Sequence, residues 1–334
     1  MSEIFDQIKR EPLLPESHYT EVIEDSKAWF NDPEIDEILA DPEKDEDHKQ
    51  GILWKQTGTA FRILLVRYSA GEDISGLKPY AIQALSMFDA YYKRFPGSKL
   101  KLWEPDAYQY VMWLLGIAVL FDLKEHVPTI ATWISKSPDD GQDILVRKLF
   151  DRLGIHFPGE SLIHDKPYAA LLKATESIGG EQQADMKQYL KQWYRGMKNC
   201  YWYNAHKNLQ GFFFGYWSFE AALVTLAWNI DDTEYRDMPF YPADLIDFAK
   251  QRREVGDKER QLAHISAVSG EQCPHAGLWA VLESPGTFVQ ERVFTLGERF
   301  PDAIGRDGQN GAVTWIVLRR YDGGPTRKEP ESPA

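Results

Sequence analysis

The sequence contains few cysteines and begins without a recognisable secretory signal. Cys200 and Cys273 are the two cysteines in 334 residues, and one distant pair cannot build the disulfide framework that stabilises small secreted domains. The first 16 residues hold neither a basic segment nor an apolar one, so we expect no signal peptide. These absences predict a protein of the cytoplasm.

The sequence also lacks the common catalytic and nucleotide-binding motifs. It has no Gly-x-Gly-x-x-Gly, no Walker loop, no Gly-x-Ser-x-Gly, no His-Glu-x-x-His and no Cys-x-x-Cys. Cys273 and His275, with His264 upstream, suggest a zinc site, but structural zinc takes four ligands, usually in closely spaced pairs. We therefore expect no catalytic residue, no metal and no cofactor.

An excess of basic residues is missing as well. The chain has 38 Lys and Arg residues against 51 Asp and Glu residues, a formal net charge of −13, and residues 1–50 alone hold 16 acids and 5 bases. Clustered basic side chains are needed to bind a phosphate backbone, so direct binding to nucleic acid is not expected. An acidic segment predicts a basic protein partner instead. The candidate contacts are Asp41, Glu43, Asp45, Glu46 and Asp47; the alternative interpretation is a solvated segment whose acids cap helices.

Apolar runs long enough for a membrane span are not found. Residues 107–121 carry no charge but number only 15, and residues 209–230 carry Glu220 in their middle. A membrane helix needs about 20 apolar residues and rarely contains a carboxylate. We interpret both runs as central helices that other helices surround.

Helical and β-type patterns divide the chain. Apolar residues recur at helical spacing from about 48 to 253, and short β-rich runs separated by Gly and Pro follow. The predicted fold class is mainly α, a multi-helix array or bundle with a small C-terminal β-rich module. The predicted segments are an acidic N-terminal segment (1–46), an N-terminal helical domain (47–160), a C-terminal helical domain (161–255), the β-rich module (262–322) and a disordered tail (323–334).

Polar residues within and after the second apolar run are further candidates. A buried Glu220 is costly unless Arg195 or Lys207 pairs with it or its pKa rises. We expect it to be a structural, hydrogen-bonded residue; the alternative is a catalytic acid. The loop that follows is acidic and either solvated or used to bind a partner. Its candidate contacts are Asp231, Asp232, Glu234, Tyr235 and Asp237.

Four short stretches together resemble the C-terminal signature of the PoNi-type immunity proteins. They are Tyr201-Trp202-Tyr203, the run from Gly215 to Ala222 (Gly-Tyr-Trp-Ser-Phe-Glu-Ala-Ala), Asn229-Ile230-Asp231-Asp232, and Tyr241-Pro242-Ala243-Asp244-Leu245. Residues from about 47 to 149 are similar to the N-terminal domain of that family. The segment 262–322 lies outside this pattern and loosely resembles a module of other type VI immunity proteins.

The resemblance implies a helical, non-enzymatic protein that neutralises a secreted antibacterial toxin. Such proteins are encoded beside nuclease toxins of type VI and contact-dependent secretion systems, so the implied partner is a basic nuclease domain, most simply a DNase. An acidic protein can approach the cationic groove of a nuclease and occlude its active site. Two alternatives stay open, an α-helical enzyme on an apolar substrate that uses Glu220, Asp231 and Asp232, and a helical adaptor with no toxin. The sequence also leaves homodimer formation open.

Overall fold

The computed structural model describes residues 2–209, 213–254, 265–281, 290–304 and 310–324. It confirms the predicted fold class, because the described chain is dominated by α-helices and ends in a small antiparallel sheet. The helices are α1 (Ser2–Ile8), α2 (Glu16–Phe30), α3 (Pro33–Ala40), α4 (Glu46–Ser69), α5 (Lys78–Arg94), α6 (Pro105–Leu120), α7 (Val127–Trp133), α8 (Ile144–Arg152), α9 (Asp165–Ala174), α10 (Gly180–Gly196), α11 (Phe219–Trp228) and α12 (Ala243–Glu254).

The described residues group into two compact units. Unit 1 is drawn from 1–91 and 252–334, so that the first helices and the C-terminal strands belong to the same unit, and unit 2 comprises Tyr92–Gln251. The boundaries of the two units differ from the segment boundaries expected from the sequence, because residues from both ends of the chain contact one another within unit 1. The division into sequence segments stays a prediction. The part of the tail from residue 325 onward lies outside the described residues.

Helix starts in unit 1 follow local capping chemistry. The Asp32 carboxylate accepts a hydrogen bond from the Glu34 N–H at 3.0 Å, and Pro33 occupies the first turn of α3. At the start of α4, Asp45 accepts from the Asp47 N–H at 3.3 Å. A side-chain acceptor at this position satisfies one of the backbone donors that a helix leaves unpaired at its N-terminus.

The first uncharged run is the central helix of unit 2, as predicted. Helix α6 is buried along its whole length from Ala107 to Leu120. Helix α11 packs closely on it: a Cβ placed on Gly116 would lie 2.9 Å from the Cβ of Phe219. Glycine therefore permits the close approach of the two helices.

Among the described residues of the second apolar run, the last part alone is helical, which corrects the prediction of one long central helix. Helix α11 begins at Phe219, and residues 213–218 are not helical. Gly215 has a φ of 99°, a conformation that a helix does not accommodate. Residues 210–212 of this run lie outside the described chain.

The C-terminal strands form a small module in unit 1, which we call the β-module (residues 266–320). Its strands are β1 (Ser266–Val268), β2 (Gly277–Val281), β3 (Glu291–Phe294), β4 (Ala303–Ile304), β5 (Asn310–Gly311) and β6 (Thr314–Arg320). Four of them form an antiparallel sheet in the order β1-β6-β2-β3, and β4 pairs with β5. Residues 282–289 and 305–309 of the predicted module lie outside the described chain.

Candidate functional site

The first group of predicted contacts lies between α3 and α4 in unit 1. We call it the N-terminal acidic surface: Asp41, Glu43, Asp45, Glu46 and Asp47. Four of these side chains are exposed and Asp41 is partly exposed. Asp41 and Asp45 each accept a hydrogen bond from a backbone N–H two residues later, and Glu46 pairs with Lys49 at 3.0 Å. These acids therefore cap local structure and face solvent, as the alternative interpretation expected, and their contact with a partner stays a prediction.

The second group, residues 231–237 of unit 2, divides into exposed and buried members. Asp231, Glu234 and Asp237 are exposed. Asp231 accepts a hydrogen bond from the Thr233 N–H at 3.1 Å, and this bond lowers the pKa of its carboxyl group. Glu234 is paired with Lys187 at 3.3 Å.

Asp232 and Tyr235 are buried, so the structure does not place them on an accessible surface as predicted. Asp232 is 2% exposed and accepts from the Lys250 ammonium at 2.8 Å and the Tyr241 hydroxyl at 3.2 Å. Tyr235 is 1% exposed and its hydroxyl lies 2.9 Å from that of Thr225. Burial raises the pKa of Tyr235. In the Asp231-Asp232 pair, the first acid faces solvent and the second anchors the loop to α12.

Glu220 is fully buried at the start of α11 and is held by neutral donors. Its carboxylate accepts from the Tyr189 hydroxyl at 2.6 Å, the Ser218 hydroxyl at 3.0 Å, the Trp193 indole N–H, and more distantly the Gln109 amide at 3.4 Å. Among the described residues, its partners do not include Arg195 or Lys207, the bases considered from the sequence. Burial raises the pKa of Glu220, which is the other outcome considered.

The aromatic residues near Glu220 pack against one another. Trp193 stacks on Trp202 with ring centroids 5.5 Å apart, and Trp202 in turn lies 5.8 Å from the ring of Trp113. All three rings are buried. A cavity of about 30 Å³ is present beside Tyr168 and Cys200, and Glu220 does not line it. This volume holds about one water molecule, whereas ligand pockets measure roughly 300 Å³ or more.

The Cys273 and His275 cluster has no metal-site geometry. The buried Cys273 thiol donates to the backbone carbonyl of His275 at 3.1 Å, and burial raises its pKa. A metal ligand would need to be the thiolate. No group of three or more His, Cys, Asp or Glu side chains suited to a metal occurs in the ranges that the structure describes. His264 lies outside those ranges.

One buried charge cluster in unit 1 was not found from the sequence. Arg67 is 1% exposed. Its guanidinium lies 2.9 Å from the carboxylate of Glu72, which is close to it in sequence, and 2.5 Å from the carboxylate of Glu291 in β3. An arginine within the apolar run of α4 was a signal for a buried partner. Sequence could not identify Glu291 as that partner, because the two residues are 224 positions apart.

No helix within the described ranges of the chain is both long enough and apolar enough to cross a membrane.

Comparison with known proteins gives a fold match and a family match. No curated protein matches the chain. The solved structure of protein PA2201 from Pseudomonas aeruginosa has a TM-score of 0.54 at 19% identity, over 71% of this chain and 88% of that chain, and this likeness concerns the fold alone. The sequence model described as "PoNe immunity protein (PoNi), N-terminal" matches residues 10–132, and the one described as "PoNe immunity proteins (PoNi), C-terminal" matches residues 141–245.

These two matches lie side by side and cover most of the chain, and they confirm the resemblance seen in the signature residues. The β-module lies outside both matched segments. Membership implies immunity against a PoNe nuclease toxin and a non-enzymatic role. The chain belongs to the family of PoNe immunity proteins, PoNi.

Proposed function

We propose that this protein binds a PoNe toxin that cleaves DNA and covers the cationic active site of that toxin. It would do so in the cytoplasm of the producing cell, against a toxin delivered by a type VI or contact-dependent secretion system. The family match supports a nuclease toxin as partner. The observation that carries the mode of inhibition is the concentration of exposed acids at the N-terminal acidic surface.

A nuclease must present a positive surface to the phosphates of its substrate. Glu43 and Asp47 are exposed acids whose side chains make no hydrogen bond to the residues that the structure describes, so they can meet such a surface. Asp231 and Asp237 offer similar exposed charge in unit 2. Complementary charge raises the association rate of two proteins. The positive surface with which a nuclease binds DNA therefore also attracts an acidic inhibitor.

Charge reversal tests which acidic group meets the toxin. We expect E43K/D47K to slow association with the purified toxin by about tenfold at low salt. D231K/D237K tests the loop of unit 2 in the same way. The matched control is E125K/E160K, which reverses two exposed acids elsewhere and changes the net charge equally. Association rates would be measured by stopped flow or surface plasmon resonance.

Unchanged association for both acidic variants, with the control equally unchanged, would refute the assignment of these surfaces. Occlusion is tested separately with a short DNA duplex and a cleavage-deficient toxin. If the immunity protein covers the active site, the duplex and the protein compete for the toxin. Formation of a stable ternary complex that contains both would show that inhibition works at another place on the toxin.

A further inference from the structure

The two central strands of the β-module, β2 and β6, carry buried side chains on both faces of the sheet. On one face the side chains form a small core of their own, with members Ala267, Cys273, Trp279, Val281, Phe294, Phe300, Ala303, Val313, Trp315 and Val317. Alternate residues point to the other face. Of these, Leu278, Ala280, Ile316 and Leu318 are also buried, although they are not members of that core.

Helical residues of unit 1 cover the second face. The turn of 3₁₀-helix from Ile74 to Leu77 contacts β6. A Cβ on Gly76 would lie 3.0 Å from a methyl carbon of Leu318, so backbone and side chain are already in contact there. The β-module therefore buries its second apolar face against the segment that precedes α5.

Glu291 of β3 joins this interface to three helices. Its carboxylate lies 2.5 Å from the Lys27 ammonium of α2 and 2.5 Å from the Arg67 guanidinium of α4, and it accepts a hydrogen bond from the Tyr80 hydroxyl of α5. The Glu291 side chain is 3% exposed. A carboxylate so deeply buried keeps its charge when cations and donors surround it.

Arg67 needs the carboxylate that the β-module supplies. Its guanidinium is shared between Glu72 and Glu291, and it also lies over the Tyr80 ring at 4.4 Å. The Lys27 side chain is 43% exposed, so water can stabilise its charge without Glu291. Arg67 is buried, and without Glu291 it would lose one of the two carboxylates that contact it, in a place where water cannot compensate.

We infer that the β-module is a fixed counterpart of the N-terminal helices, docked through Glu291, and not a separately tethered domain. The module lies outside both family segments, yet it supplies a carboxylate to the buried Arg67 and covers apolar residues of the first segment. Its docking partner is this chain itself. A toxin would therefore meet unit 1 with the β-module in place.

The test uses the full-length protein with a specific protease site inserted between Gly256 and Asp257. After cleavage, the module is expected to co-elute with the rest of the chain in size-exclusion chromatography, and to remain bound at about 1 M NaCl because the buried pair is weakly screened. The variant E291K, cleaved in the same way, is expected to release the module. The matched control D302K reverses an exposed acid of the same module and is expected to retain it.

Release of the module from the cleaved wild-type protein would overturn the inference, and so would full retention by E291K. Should E291K fail to fold, E291Q replaces it, because this variant keeps the size and one acceptor but removes the charge. The cleaved E291Q protein is then expected to release the module at a lower urea concentration than the cleaved wild type, and equal concentrations would overturn the role of Glu291. No toxin enters this test, so its outcome is independent of the proposed function.

Discussion

Two buried glutamates show how surroundings decide the charge state of the same side chain. Glu220 is surrounded by neutral donors, and burial raises its pKa. At Glu291 burial acts in the same direction, but the positive charges of Arg67 and Lys27 outweigh it and the pKa is lowered. A buried glutamate that is held by hydroxyl and indole hydrogen bonds is therefore protonated more easily than one that lies beside two cations.

The raised pKa of Glu220 predicts a pH-dependent stability difference. The folded protein holds this proton more tightly than the unfolded chain, whose Glu pKa is about 4.3. The corresponding stability is fully present below that pKa and is lost as the pH rises through the higher folded value. Relative to E220Q, the wild type should therefore lose about 1.4 kcal/mol of unfolding free energy for each unit by which the pKa is raised. Urea unfolding of both proteins between about pH 4 and pH 8 measures this difference.

E220A provides the comparison that separates charge from hydrogen bonding. It leaves the Tyr189 hydroxyl and the Trp193 N–H without their acceptor, and we expect a loss of about 3 kcal/mol relative to E220Q at all pH values. A wild-type protein whose stability runs parallel to that of E220Q across the pH range would contradict a raised pKa.

At the scale of elements, glycine has opposite roles in two helices. Gly51 of α4 is exposed and an added Cβ would meet no atom within 4 Å, whereas Gly116 of α6 faces Phe219 of α11. Gly51 lowers the stability of α4, although the space around it would accept a larger side chain. The second allows two apolar helices to approach closely.

Alanine at these two positions should shift stability in opposite directions. G51A is expected to raise the unfolding free energy by about 0.5–1 kcal/mol through helix propensity. G116A gains the same propensity but forces α6 and α11 apart, and overpacking of about 1–3 kcal/mol should leave a net loss. Thermal or urea unfolding of the two variants measures the shifts. A stabilised G116A would show that the contact with Phe219 relaxes without cost.

At the scale of the whole molecule, the charge is concentrated at one end of the sequence. Residues 1–50 hold 16 acids and 5 bases, so they account for most of the net charge of −13 that the whole chain carries. The N-terminal acidic surface belongs to unit 1 and the 231–237 loop to unit 2, so the two groups are presented by different parts of the fold. A partner with a positive surface would be attracted over a distance set by the ionic strength.

The association rate with the toxin should therefore depend steeply on salt. We expect it to fall by at least tenfold between about 50 mM and about 500 mM NaCl, while the dissociation rate changes much less. The same titration with E43K/D47K should give a shallower slope. A rate that is independent of salt would argue against electrostatic attraction as the source of fast capture.

Sequence alone was sufficient for the features that depend on local pattern and composition. Helical spacing and the uncharged run 107–121 indicated a mainly α fold with a central helix, short β-rich runs indicated the C-terminal module, and the signature around Glu220 indicated the family. These features need only the identities of residues close together in the chain. Composition likewise indicated the acids from Asp41 to Asp47 as candidate contacts for a partner, or as a solvated segment that caps helices.

Tertiary structure decided which polar residues are accessible and which are paired. Asp231 and Asp232 are identical neighbours in sequence, but only the second reaches Lys250 and Tyr241, so one is exposed and the other buried. Glu291 gave no sequence signal that it would meet Arg67, because their contact requires the two ends of the chain to fold together. Burial and ion pairing depend on groups that are distant in the chain, and local patterns carry no information about those distances.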